Sequence, residues 1–192
     1  MNTIEEGRKV FDAEIEALIR TRDSLDEVFE QIVDCFYNCE GKVITVGLGK
    51  SGHAAKKIAA TLSSLGTPSF FLSPSEALHG DLGMVTRDDV LLMISYSGEA
   101  EEIKKILPII KENGCTVTAI TGGAGSTLER EADIAVVLPA ISEACSFGLA
   151  PTSSTPATLC YGDAIAVALS IRRGFRKEDF QRLHPSGVLA RK

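Results

Sequence analysis

Val43-Ile44-Thr45-Val46-Gly47-Leu48-Gly49-Lys50-Ser51-Gly52-His53 is an apolar, β-branched run that ends in a glycine turn. It opens onto residues 54–65, where alanines, Ile58 and Leu62 recur at helical spacing, so the stretch reads strand, tight turn, helix. Glycines let backbone approach a ligand closely, and the first N–H groups of a helix lack intrahelical partners. The turn around Gly49 is therefore a seat for an anion, phosphate above all.

Two nucleotide motifs compete for this turn. Gly49-Lys50-Ser51 resembles the end of a Walker A loop, but that motif needs a glycine where Ile44 stands inside the strand. Gly47, Gly49 and Gly52 fit the dinucleotide fingerprint, which also expects an acid at the end of the next strand. That strand ends at Leu72-Ser73, and the nearest acid, Glu76, lies beyond Pro74. A nicotinamide-dependent dehydrogenase thus lacks its ribose-binding acid.

At 192 residues the chain suits one domain with a real core, and 44% hydrophobic with 24% charged residues is the balance of a soluble globular protein. No apolar run approaches the roughly 20 residues that span a bilayer, and the acidic N-terminus is unlike a signal peptide, so a cytoplasmic protein with no membrane partner is expected. A net charge of −6 argues against nonspecific nucleic-acid binding. Any anionic ligand must then be held locally. Five cysteines is an odd number, and Cys35 and Cys39, at i and i+4, find no third ligand nearby. Buried, reduced thiols and no metal are expected.

Residues 3–39 read as one or two helices with a strong apolar stripe, Ser24 serving as a cap for the second. Segment 1–40 is expected to pack on the core or on another subunit, and its acidity excludes a DNA-reading helix-turn-helix. Further strands are expected at 67–72, 90–95, 116–121 and 133–138. Helices are expected at 54–65, at 99–112, from about 127, and at 151–169 and 177–183. Strand and helix alternating at this spacing predict an α/β domain over 41–192. Its core is a doubly wound, five-stranded parallel sheet flanked by helices.

Ligands in such sheets bind beyond the carboxyl ends of the strands. Those ends carry Lys50 and Ser51, then His79, then Ser95 and Ser97, then Thr121. Ser95-Tyr96-Ser97-Gly98 sets two hydroxyls around a turn at a helix start, a geometry suited to phosphate. Glu102 falls in the first turn of that helix, where an acid could merely complement the dipole. Glu143 stands in an apolar, small-residue loop, and His53, His79 and His184 all neighbour glycine or proline.

Several blocks together resemble a sugar isomerase (SIS) domain, and more narrowly the D-arabinose-5-phosphate isomerases. They are the 47–53 turn, His79-Gly80-Asp81-Leu82-Gly83-Met84, Ser95-Tyr96-Ser97-Gly98-Glu99 and Glu143-Ala144-Cys145. Leu149-Ala150-Pro151-Thr152-Ser153-Ser154-Thr155 and His184-Pro185 complete the set. The resemblance runs from about residue 41 to the C-terminus. It implies reversible interconversion of D-ribulose 5-phosphate and D-arabinose 5-phosphate, a supply step for the octulosonate (Kdo) of lipopolysaccharide or capsule, without a cofactor. It also implies a homo-oligomer, a tetramer, so that His184, far along the chain from the other candidates, either folds back over its own site or, as a tetramer favours, serves a site shared with a neighbouring subunit.

By the same resemblance the active-site set is Lys50, Glu102, Glu143 and His184, with His79 close by. Lys50 would neutralise the developing oxyanion, and Glu143 and His184 are the candidates for base and acid. Gly49, Ser51, Ser95, Ser97 and Ser153 or Thr155 would hold the phosphate.

Three features depart from the family pattern. Longer members carry paired CBS modules where this sequence ends, so regulation through such modules is not expected. Ala100 replaces a common Ser or Thr, and Ser186 replaces a glycine after His184-Pro185. A hexulose-phosphate isomerase would share the serine motif without needing the His79 and His184 blocks. A non-catalytic phosphosugar sensor usually comes fused to a DNA-binding domain, for which 192 residues leave no room.

Overall fold

In the computed structural model, which describes residues 2–186, the expected first strand is β1 (Val43–Gly47), buried from end to end. Its side chains alternate between two cores, Val43 entering one and Ile44 and Val46 the other. Four more parallel strands flank it: β2 (Ser69–Leu72), β3 (Val90–Ile94), β4 (Thr116–Thr121) and β5 (Ile134–Val137). Their order is β2-β1-β3-β4-β5, with Val43 registered against Ser69 on one side and Val90 on the other. The chain therefore reverses direction across the sheet between β1 and β3, and a crevice opens above their carboxyl ends.

Helices cover both faces, which is why the strands read as unbroken apolar runs. On one face lie α2 (Glu27–Tyr37), α3 (Gly49–Ser64) and α7 (Ser154–Arg172). They bring Phe36, Ile58, Leu62, Ile165 and Leu169 onto Val43, Leu92 and Ile94. On the other, α5 (Glu101–Glu112) and α6 (Thr127–Glu131) set Ile103, Ile106, Ile110 and Leu128 against Ile44, Leu91 and Met93. Each such side chain contributes about 1.5–3 kcal/mol on leaving water. A short helix, Pro74–Ala77, and a 3-10 turn, Asp81–Met84, follow β2, and Lys177–Leu183 forms the last described helix.

The N-terminal segment forms two helices. The first, Thr3–Asp23, buries Ala17 and Thr21 and packs along α7. Its Ile4, Phe11, Ile15 and Ile19 remain exposed as one stripe. Ser24 closes this helix instead of capping the next, because its hydroxyl donates to the Thr21 carbonyl (2.8 Å). The cap of α2 is Asp26, which accepts from the Val28 N–H (2.9 Å).

Two later helices start downstream of the expected positions, in each case where carboxylate hydrogen bonds hold the residues just ahead of the helix. Glu99 stays out of α5 because its carboxylate accepts from the Thr127 N–H (2.6 Å) and hydroxyl (3.0 Å), capping α6. α7 begins at Ser154 and not at residue 151, because the N–H groups of Thr152 and Ser153 are both taken by Glu143.

Candidate active site

The β1–α3 turn brings strand end and helix start into contact. A Cβ on Gly52 would stand 2.7 Å from the Gly47 carbonyl oxygen, and one on Gly47 would stand 2.8 Å from that of Ser51. Gly49 turns the chain at φ +56°, a conformation side chains disfavour. No side chain caps α3, so its first N–H groups stay open toward the crevice. α5, capped only by the backbone of Ala100, is open likewise. Two helix N-termini thus supply partial positive charge at the switch point.

Between them lies a cavity of about 310 Å³, at the small end of ligand-site volumes. Lys50, Ser51, Ser95, Ser97 and Thr155 share its wall, together with Tyr96, Ala100, Pro151, Ser154 and Thr158. The hydroxyls differ in what they can offer. Ser95 Oγ accepts from the Gly98 N–H (3.2 Å) and Ser97 Oγ from the Glu99 N–H (3.3 Å), leaving both O–H protons available to an anion. On α7 the protons are spent: Thr155 donates to the Pro151 carbonyl (2.8 Å), Thr158 to that of Ser154 (2.9 Å), and Ser154 to Glu143. The uncommitted hydroxyl protons of the cavity therefore lie on its α3 and β3 side.

Glu143 lies behind the α7 wall. Its Oε2 accepts from the N–H groups of Thr152 (2.7 Å), Ser153 (2.7 Å) and Ser154 (3.3 Å), and its Oε1 from the Ser154 hydroxyl. Burial favours the neutral acid, but these donors outweigh it and hold the carboxyl below the ordinary glutamate range. Ser153 is fully buried with no partner for its hydroxyl, off the cavity wall. Glu102 sits half-buried in the first turn of α5, and His79 is exposed just past the short helix that follows β2.

His184 is far from this cluster in its own chain. Its Nε2 is 3.3 Å from Ser64 Oγ, at the last residue of α3, whereas Lys50 is in that helix's first turn. Fourteen residues of helix separate the two by about 21 Å. The ring stacks on Phe180, 3.9 Å between centroids, and its Nδ1 lies 2.8 Å from the Phe180 carbonyl oxygen. Only an N–H can serve a carbonyl, so Nδ1 carries a proton, and Nε2 faces the Ser64 hydroxyl.

Sequence alone does not single out Tyr96, Thr152, Ser154 and Thr158 as separate site residues. Ser154 and Thr158 carry a signal, since they are hydroxyl residues on the buried stripe of α7 beside Ala157 and Tyr161. Among the described residues no group of three His, Cys, Asp or Glu side chains could hold a metal ion, and no helix is long and apolar enough to cross a membrane. The five cysteines are free but, against expectation, only Cys115 is buried: Cys35, Cys39 and Cys145 are half-buried and Cys160 is exposed.

An open α/β sheet with serines, a lysine and two uncapped helix N-termini at its switch point has the chemistry suited to a phosphate-bearing ligand. The SIS domain family matches residues 36–168, and the chain belongs to that family. It is 48% identical over 186 residues to the arabinose 5-phosphate isomerase KdsD of Shigella flexneri, covering 97% of this chain and 57% of the relative. It is 48% identical over 183 residues to the arabinose 5-phosphate isomerase GutQ of Salmonella typhi, covering 95% of this chain and 57% of the relative. The chain thus spans little more than half the length of these curated relatives. A solved structure from E. coli CFT073 in complex with arabinose 5-phosphate superposes with a TM-score of 0.93 at 42% identity, covering 96% of this chain and all of that one.

Proposed function

We propose that this chain interconverts D-ribulose 5-phosphate and D-arabinose 5-phosphate through an enediolate, in the cytoplasm, as a supply step for Kdo. The observation that carries the reading is the pair Ser95 and Ser97. Their hydroxyls accept from backbone N–H groups and so aim protons into a cavity that also holds Lys50 and Ser51. The similarity to KdsD and to the solved complex with arabinose 5-phosphate narrows a phosphosugar to a pentose 5-phosphate.

With the phosphate on the α3 and β3 side, the other end of the sugar lies toward α5 and α7. A base removes a proton from C1 of the ketose, giving the 1,2-enediolate. A proton passes from the C1 hydroxyl to O2, and as the C1 carbonyl forms the abstracted proton returns at C2 on the face that yields the arabino configuration. Lys50 offers its ammonium to the oxyanion that develops at C2. Glu102, in the first turn of α5, and His184 are the proton carriers, with His79 close by as the family resemblance implies.

His184 lies about 21 Å along α3 from Lys50 in one chain, so it would serve the site of a neighbouring subunit. A homo-oligomer, a tetramer by family resemblance, would do this while covering the Ile4, Phe11, Ile15 and Ile19 stripe. The net charge of −6 is poorly suited to nucleic acid, and no cofactor enters the scheme.

The test is conversion of D-ribulose 5-phosphate in metal-free buffer, with the product identified by NMR and His184→Ala as control. Arabinose 5-phosphate formed by wild type and lost in the variant is the expected result. Binding of pentose phosphate without turnover would favour a sensor, and no binding at all would favour another phosphosugar.

A further inference from the structure

We propose that Glu143 is a positioning residue, a fixed carboxylate clamp that locks the first turn of α7 to the 141–152 loop and exchanges no proton with substrate. The inference rests on the isomerase reading and assigns one member of its residue set. A carboxylate has about four lone-pair sites. Oε2 alone receives the N–H groups of Thr152, Ser153 and Ser154, with the Thr152 hydroxyl at 3.2 Å, and Oε1 receives the Ser154 hydroxyl. To take a proton from carbon, Glu143 would have to give up part of this set of donors.

The clamp extends through Thr152. Its Oγ1 accepts from the N–H groups of Ala144 (2.8 Å) and Cys145 (3.3 Å), so the residue that donates to Glu143 also holds the chain that follows it. Burial, with the Glu143 charge adding to it, pushes the Tyr96 phenol up. Ser154, bonded to Glu143, and Pro151 and Thr155, bonded to each other on either side of the clamped backbone, are all wall residues of the cavity.

Two measurements decide the assignment. In the wild-type protein, the Glu143 carboxyl carbon, identified by its loss in Glu143→Gln, is followed by carbon-13 NMR from about pH 7 to about pH 5, free and with D-arabinose 5-phosphate. This range lies above that of an ordinary glutamate. The signal should stay at the ionised position throughout, and titration there, or protonation on adding ligand, overturns the proposal.

In the second, kcat/KM against pH is compared for wild type, Glu143→Gln, Thr152→Val and Thr152→Ser. Loss of alignment should cost Glu143→Gln and Thr152→Val about 10²-fold with the acidic limb of the profile unmoved, and Thr152→Ser should recover most of it. Disappearance of the acidic limb in Glu143→Gln, or full activity in Thr152→Val, overturns the proposal. A wild type that isomerises no pentose phosphate would defeat the isomerase reading instead, and the carbon-13 titration would still decide Glu143.

Discussion

If each active site draws Lys50 from one chain and His184 from another, two dead variants should revive each other. Lys50→Ala and His184→Ala each remove a group from the reacting centre, so each alone should lose at least about 10²-fold in kcat. Within one chain the two residues stand at opposite ends of α3, about 21 Å apart, far beyond the roughly 3 Å needed for proton transfer. In an equimolar mixture with random exchange, half the Lys50 positions and half the His184 positions are intact. About one quarter of the sites should then be whole. The assay is arabinose 5-phosphate formation followed by NMR, after subunits are exchanged through mild denaturant and dilution. Recovery toward about a quarter of the wild-type rate is expected. A mixture no better than its components would refute shared sites, and an active His184→Ala chain would remove His184 from the chemistry.

Other parts of the molecule yield equally direct expectations. Gly98 sits at φ +69°, where a Cβ would meet Ser126 Oγ at 2.1 Å and its Cβ at 2.4 Å. Gly98→Ala should therefore cost about 2–4 kcal/mol, while Gly125→Ala, at φ +73° in open space, should cost only about 1 kcal/mol in thermal unfolding. Equal losses would refute the steric argument. Ser97→Ala removes a donor aimed at an anion and should lower kcat/KM for the phosphorylated sugar by roughly 10- to 100-fold, mostly through KM. An unchanged KM would place the phosphate elsewhere. Asp89 and Glu143 are both held below the ordinary carboxylate range in the fold. Below about pH 4 the unfolded chain therefore binds more protons than the folded one, and stability present above that range is lost as pH falls through the folded values. Chemical denaturation across this window should show the decline, and Glu143→Gln should shallow it. A flat curve would refute the linkage.

The central strand and turn were legible because burial on both faces forces an apolar run and the close approach of Gly47 and Gly52 forces glycine, so composition and geometry carry one message. Helix starts were less legible. Glu99 reads as a helix residue by propensity, and only the fold reveals that its carboxylate is committed to Thr127, a partner 28 residues away. Ser24 and Asp26 are both acceptable caps by type, and the choice between them rests on which carbonyl lies within reach. At the site, the sequence separates residues that bear chemistry from those that do not. It cannot say whether a hydroxyl proton is free, as in Ser97, or spent, as in Thr155, because that depends on backbone partners set by tertiary structure.

The open N-termini of α3 and α5, beside Lys50, sit in a chain of net charge −6. From afar a phosphate dianion meets a repelling body, and only near the cavity does it meet donors. Physiological salt, with a Debye length of about 8 Å, screens the distant repulsion while leaving hydrogen bonds of about 3 Å largely intact. Substrate capture by this chain should therefore hold steady or quicken as salt rises, the reverse of a protein that draws anions in by its overall charge.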